Sequence, residues 1–217
     1  LSYVKDQGFE DLKPYIHDSR FGLTDLFKGE SPFDDFSPVK DQSDQIWTLP
    51  LAYQPALLFY NQTWAETLGF SAFPLSRDAF TEQMMAGLNA NLADADLNNN
   101  GTGGLLVTKT TRSAQGWYAS FGGAFFPGDE YLNYYSETLL GTYQWLKRSF
   151  EQDSHWVGME STPYDYFNRR LALAYEADLD NLAHQTAAMS SQDFGDRWLS
   201  MPYPTEDGRG SVALESL

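Results

Sequence analysis

The chain of 217 residues carries 30 acidic against 14 basic side chains, a net charge of −16, and no cysteine. That balance excludes the basic footprint that phosphate backbones require and argues equally against an anionic membrane surface, while the missing thiols exclude disulfides, thiolate nucleophiles and thiolate metal sites. A hydrophobic content of 42% excludes a disordered composition, and the length fits one large domain or two small ones.

Residues 8–27 read as short helical pieces, with Phe9, Leu12 and Ile16 on one face and Phe21, Leu23 and Leu26 after a break. Residues 28–44, with two Ser-Pro steps and scattered acids, read as loop. Ile46 to Tyr53 and Ala56 to Tyr60 predict two strands, joined or bent at Gln54-Pro55; Pro50 and Pro55 limit the ladder bonds this segment makes. Asn61 to Leu68 predicts a short helix closed by Gly69. Ser76 predicts the N-cap of a helix over 77–88, with Asp78 in its first turn and Phe80, Met84, Met85 and Leu88 at helical period. A turn-rich loop over 94–104 leads to a strand from Leu105 to Thr108, and residues 113–122 predict a helix running into Gly122-Gly123. Ser136 caps the clearest helix, over 137–152, whose buried face is expected to carry Leu139, Leu140, Tyr143, Leu146 and Phe150. A helix over 163–170, a strand from Leu171 to Tyr175, a helix from Asp178 to Met189 and a strand from Arg197 to Met201 follow. Strands alternating with helices predict an α/β architecture. No apolar run approaches the roughly 18 residues of a membrane span. The chain starts at Leu1 without Met and without a charged-then-apolar leader, which reads as a processed or trimmed piece of a longer protein.

The catalytic inventory is poor. His17, His155 and His184 sit in no helix-borne zinc spacing, and neither a nucleophile elbow nor a phosphate-binding loop is present. Asp34-Asp35, Asp129-Glu130 and Asp178 with Asp180 are paired acids of the kind glycoside hydrolysis uses, although solvated surface is the commoner role of such pairs. Asp94, Asp96, Asn98 and Asn100, on alternate residues and followed by Gly101, form a candidate calcium loop. Val107 stands where the bidentate Glu of such a loop belongs, so affinity should be weak, and a metal-free Asn/Gly turn is the alternative. Aromatic residues make up 16% of the chain, with 6 Trp, 13 Tyr and 15 Phe. Trp47, Tyr53, Trp117, Tyr118, Tyr164, Tyr166 and Trp198 suit either core packing or a platform that stacks on pyranose rings.

Four segments, in order, resemble the extracellular solute-binding proteins of ABC importers, in the sugar-binding, maltose-binding-protein-like group. They are WTLPLAYQPALLFYN (47–61), PLSRDAFTEQM (74–84), GWYASFGGAFF (116–126), and YFNRRLALAYEADLDNLAHQ (166–185) with WLSMPYP (198–204). Arg169 or Arg170 stands where that family has Gly, and the Trp expected after Tyr175 is absent. The resemblance implies a type II periplasmic-binding-protein-like α/β fold, of which this chain is an internal fragment. Residues 1–54 would be part of the first lobe with the hinge crossing, and residues 55–217 the second-lobe domain, incomplete at its C-terminus.

It further implies a binding protein and not an enzyme, with no cofactor apart from the candidate calcium ion. Its partners would be a small carbohydrate and the membrane permease subunits, without nucleic acid. Its location would be extracytoplasmic, periplasmic or anchored at the cell surface as a lipoprotein. The carry-over assigns Tyr53, Gln54, Trp117, Tyr118, Glu176 and Asp178 to the ligand. The missing Trp argues against a maltodextrin-like ligand and leaves a monosaccharide, a short oligosaccharide or a polyol. A glycoside hydrolase fragment and a calcium-stabilised cell-surface module stay open beside it.

Overall fold

In the computed structural model, residues 10–16, 18–20, 53–123, 136–159, 162–191 and 195–216 are described. Phe9, His17, the stretch 21–52 with Trp47, and the acids Asp129 and Glu130 lie outside them. The chain divides into two compact units, Leu1–Tyr53 with Ser216–Leu217, and Gln54–Glu215. Among the described residues of the first unit is one short helix, α1 (Lys13–Ile16), which buries Ile16.

From there the chain forms β1 (Tyr53–Pro55), β2 (Leu57–Asn61), α2 (Gln62–Thr67), α3 (Arg77–Ala93), β3 (Gly103–Leu106), α4 (Thr111–Ser120) and α5 (Glu137–Glu151). It continues with β4 (His155–Trp156), α6 (Tyr164–Asn168), β5 (Ala172–Ala177), α7 (Leu179–Ser191), β6 (Trp198–Met201) and β7 (Leu214–Ser216). Helix starts fall where a side chain satisfies a free N–H. Asn61 accepts from Trp64 N at 2.9 Å, Ser76 from Ala79 N at 3.2 Å, Thr110 from Ser113 N at 3.1 Å and Ser136 from Leu139 N at 3.2 Å. Each such cap stabilises its helix by about 1 kcal/mol.

Five strands form one sheet in the order β4-β3-β5-β2-β6. β3 pairs parallel with both β4 and β5, and β2 runs antiparallel to β5 and β6. Alternation along the strands divides two cores. Leu58, Tyr60, Leu105 and Ala174 pack with Phe80 and Met84 of α3, Trp117 of α4 and Tyr203. On the other face Phe59, Leu106 and Tyr175 pack with Phe167 of α6. β1 and β7 make a separate two-stranded sheet, so β1 and β2 do not form one continuous strand. The break falls at Ala56, whose N–H bonds Ala213 O at 2.8 Å. Among the described residues no helix is long and apolar enough to cross a membrane.

Three expectations require correction. The glycine-rich end of the 94–104 loop is strand: β3 begins at Gly103, whose N–H bonds Leu171 O at 2.7 Å. Glycine reads as loop, but here it allows close approach. A Cβ on Gly104 would overlap the Ser154 carbonyl, and a Cβ on Gly87 of α3 would overlap the Gly103 carbonyl. α3 also runs past 88 to Ala93, because buried Asn91 is tied to Thr102 Oγ1 at 3.0 Å and Arg170 O at 3.1 Å. Lastly, α5 is rotated from its expected face: Leu140 and Tyr143 are 57% and 59% exposed, while Thr142 and Ser149 are buried. Their hydroxyls bond Thr138 O and Trp145 O within the helix, so they enter the core without orphan groups. Trp145, centred 4.7 Å from Trp117, supplies the bulk instead.

Gly87→Ala tests the α3–β3 approach. A helix-interior glycine normally gains about 1 kcal/mol on becoming alanine. Overlap with backbone, which cannot swing aside, costs about 1–3 kcal/mol. The variant is therefore expected to unfold at lower urea than the native chain, and a midpoint equal or higher would contradict the packing.

Candidate functional site

Strand direction fixes which edge of the sheet meets a ligand. The carboxyl ends of β3, β4 and β5 lie together, beside the start of antiparallel β2. In open α/β sheets this is the edge at which ligands bind. A pocket of about 220 Å³ opens there. Leu106, Thr108 and Lys109 line it where β3 ends, and Val157, Gly158 and Tyr166 line it beyond β4. The Tyr166 hydroxyl accepts from Met159 N at 3.0 Å, and its ring meets Trp156 edge-on at 5.2 Å. A second cavity, beside Tyr60 and Phe73, holds only about 30 Å³.

The pocket wall formed by the β3–α4 connection is held from the core by Glu176. One carboxylate oxygen accepts from Trp117 Nε1 at 2.8 Å; the other accepts from Thr108 N at 2.8 Å and Thr108 Oγ1 at 3.3 Å. Burial pushes the Glu176 carboxyl above its ordinary range, and hydrogen bonds from Thr108 and Trp117 oppose that rise. A carboxylate in this position ties residue 108 to β5 and to α4 together.

Beside it, the Arg112 guanidinium pairs with Asp178. The other Asp178 oxygen accepts from Asp180 N at 3.0 Å and Asn181 N at 3.2 Å, which starts α7. Asp180 in turn accepts from Gln54 Nε2 at 2.8 Å, and Asn181 Nδ2 donates to the Tyr164 hydroxyl at 3.1 Å. Gln54, Asp178 and Asp180 thus form a polar rim at the same edge as the pocket.

The expected ligand residues separate into two groups. Gln54 and Asp178 are half-buried on this rim. Trp117, Tyr118 and Glu176 are enclosed, at 1%, 9% and 2% exposure, so little of their surface is open on this edge. Trp117 is a core ring because Trp145, Tyr203 and Phe80 surround it at 4.7–5.7 Å. Of Tyr53, only the backbone strand is described. Nor does the wider aromatic set converge: Trp198 packs on Phe59 at 4.8 Å in the other core, and Tyr164 stacks on His184. Of the described side chains in that set, Tyr166 lines the pocket. Thr108, Lys109 and Arg112 are functional candidates that sequence reasoning missed. The available signal was the Thr-Lys-Thr-Thr-Arg run directly after an apolar strand.

In the candidate calcium loop, Asp94 accepts from Asp96 N and Asn99 Nδ2, both at 2.8 Å. Asp96 accepts from Asn98 N at 3.0 Å and Asn98 Nδ2 at 2.9 Å. The Asn98 N–H holds the Asp96 carboxyl below its usual range. Asn98 and Asn100 are exposed, and among the described residues no group of three His, Asp or Glu converges on a metal position. A cation here would have to displace the donors already bound.

No family model matches this sequence, and no curated protein matches it. Solved structures do. The sugar-binding protein MalE of Xanthomonas citri aligns with 98% of this chain at 15% identity and a TM-score of 0.65. The maltose/maltodextrin-binding domain MalE of Bdellovibrio bacteriovorus, bound to maltotriose, aligns with 99% at 17% identity and 0.66. UgpB of Mycobacterium tuberculosis, in complex with glycerophosphocholine, aligns with 98% at 16% identity and 0.66. The chain spans about half of each of these structures, 53%, 52% and 53% respectively. The fold is therefore the periplasmic-binding-protein-like α/β fold of MalE-type structures.

Proposed function

We propose that this chain is part of the solute-binding component of an ABC importer, that it captures a carbohydrate, and that it acts outside the cytoplasm without catalysing a reaction. The observation that carries this reading is a fold shared with sugar-binding proteins over nearly the whole chain, with a pocket at the strand carboxyl ends. In this reading residues 1–54 belong to a first lobe and the crossing, and 55–217 to a second. The rim chemistry supports a polyhydroxyl ligand. Gln54, Asp178 and Asp180 carry acceptors and an amide donor suited to paired hydroxyls, and Tyr166 offers an aromatic ring with a polar edge. The membrane permease and the ATP-hydrolysing subunit would be separate chains.

A melting series of the full chain with neutral mono- and short oligosaccharides tests this. A ligand that binds only the folded state at one hundred times its Kd stabilises by about 2.7 kcal/mol. At least one sugar is expected to raise the melting temperature. Turnover of aryl glycosides would replace the binding reading with a hydrolase, and melting that falls with chelator, with no sugar response, would replace it with a calcium-stabilised module.

A further inference from the structure

Lys109 is the part of the pocket that a neutral ligand leaves unused. In a chain with 30 acids against 14 bases, the described lining contains a lysine and no acid. Lys109 takes part in none of the ion pairs among the described residues, all of which engage other cations. Two described acids beside the β3–α4 connection are already committed. Asp178 is paired with Arg112, and Glu176 is enclosed and bonded by Trp117 and Thr108. Lys109 also has φ of 58°, a left-handed backbone that is uncommon for a residue with a Cβ. Such conformations are strained and cluster at ligand sites. Thr108 and Thr162 add hydroxyls to the same wall.

We propose that this pocket receives an anionic group, a carboxylate or phosphate carried by a sugar or polyol, with Lys109 as its counter-charge and the Thr108 and Thr162 hydroxyls as further donors. The inference rests on the carbohydrate reading and narrows it from neutral to acidic ligands. A charge-assisted hydrogen bond is stronger than a neutral one, and it weakens with salt where the cation is exposed.

Calorimetric titration of the full chain at low salt, with glucose, glucuronate, glucose 6-phosphate and inorganic phosphate, tests it. At least one of the two anionic sugars is expected to bind about tenfold or more tightly than glucose. Lys109→Met should abolish the anion preference, so that the variant binds the anionic sugars no more tightly than it binds glucose. Lys109→Asn, whose side chain tolerates the left-handed backbone, should do the same in a chain that melts no lower than the native one. Glucose binding as tightly as both anionic sugars, or an anion preference that survives in both variants, would overturn the inference and leave the carbohydrate reading standing. Inorganic phosphate binding through Lys109 with no sugar bound would keep the anion site and sink the carbohydrate reading. Binding of none of the four probes would overturn both.

Discussion

Trp117→Ala is expected to lower the unfolding free energy by about 3–5 kcal/mol, a large share of the roughly 5–15 kcal/mol that a folded protein has in hand. The ring is 1% exposed, and Trp145, Tyr203, Phe80 and His155 lie within 5.9 Å of it, centroid to centroid. Removing it opens a cavity among side chains that come from two helices, a strand and a late loop, which cannot all close in. It also takes a donor from Glu176. Trp117→Phe separates the two losses. Most of the bulk remains, while one oxygen of a buried carboxylate loses its partner, at a cost of about 1–3 kcal/mol. That second cost should shrink in a Glu176→Gln background, where the buried group is no longer charged. Urea unfolding of the native chain, the three single variants and the Trp117→Phe/Glu176→Gln double variant reads both, and a Trp117→Ala midpoint near the native one would contradict the core role assigned to this ring.

Acid should weaken the chain through His155. Its ring lies among Phe80, Trp117, Trp145 and Phe150, with Nδ1 3.2 Å from Ser154 Oγ and Nε2 buried without a partner. Burial pulls its pKa from 6.5 down to about 3, and a hydrogen bond with the Ser154 backbone only partly offsets this. The unfolded chain therefore binds a proton near pH 6.5 that the folded chain refuses until about pH 3. Stability present above pH 6.5 is lost as the pH falls through that window, by up to ~1.4 kcal/mol per pH unit for the single proton. Glu176 works in the opposite sense. Its folded pKa is raised, so its contribution is full below the unfolded value of 4.5 and declines as pH rises toward the folded value. His155→Phe keeps an apolar ring in an aromatic cage and removes the titration. Urea midpoints measured from pH 7 down to pH 5 should fall less steeply for the variant, and parallel curves would show that the ring is not the source of the acid response.

What the sequence disclosed depended on how local each cause is. The caps at Asn61, Ser76, Thr110 and Ser136 act on N–H groups three residues away; Ser76 and Ser136 were legible as caps, Asn61 only as a helix start, and Thr110 lay outside the helix expected over 113–122. The α/β alternation was equally legible, because it is written in short-range periodicity. Features set by distant partners were not. Glycines 103 and 104 look like loop until α3 and Ser154 are brought against them. Trp117 looks like a stacking surface until Glu176, 59 residues on, receives its N–H. At the Arg169-Arg170 step, Arg170 has a φ of 56°, a left-handed backbone that glycine adopts more readily. Arginine is held there by paired bonds of 2.8 and 2.7 Å to Asp196. The left-handed turn at Lys109 left no mark in composition or period; the Thr-Lys-Thr-Thr-Arg run was the local sign of its place in the pocket.

The separate pairing of β1 with β7 has a topological consequence. The segment 54–215 enters and leaves through adjacent strands, latched by the Ala56–Ala213 hydrogen bond. It is built as an insertion cassette: its two ends occupy one doorway, and its whole sheet and both cores lie between them. Closing such a segment on itself spans almost no distance, so joining its ends costs little beyond the entropy of a short connecting loop. Compact units with neighbouring ends are the ones that tolerate transplantation into another chain.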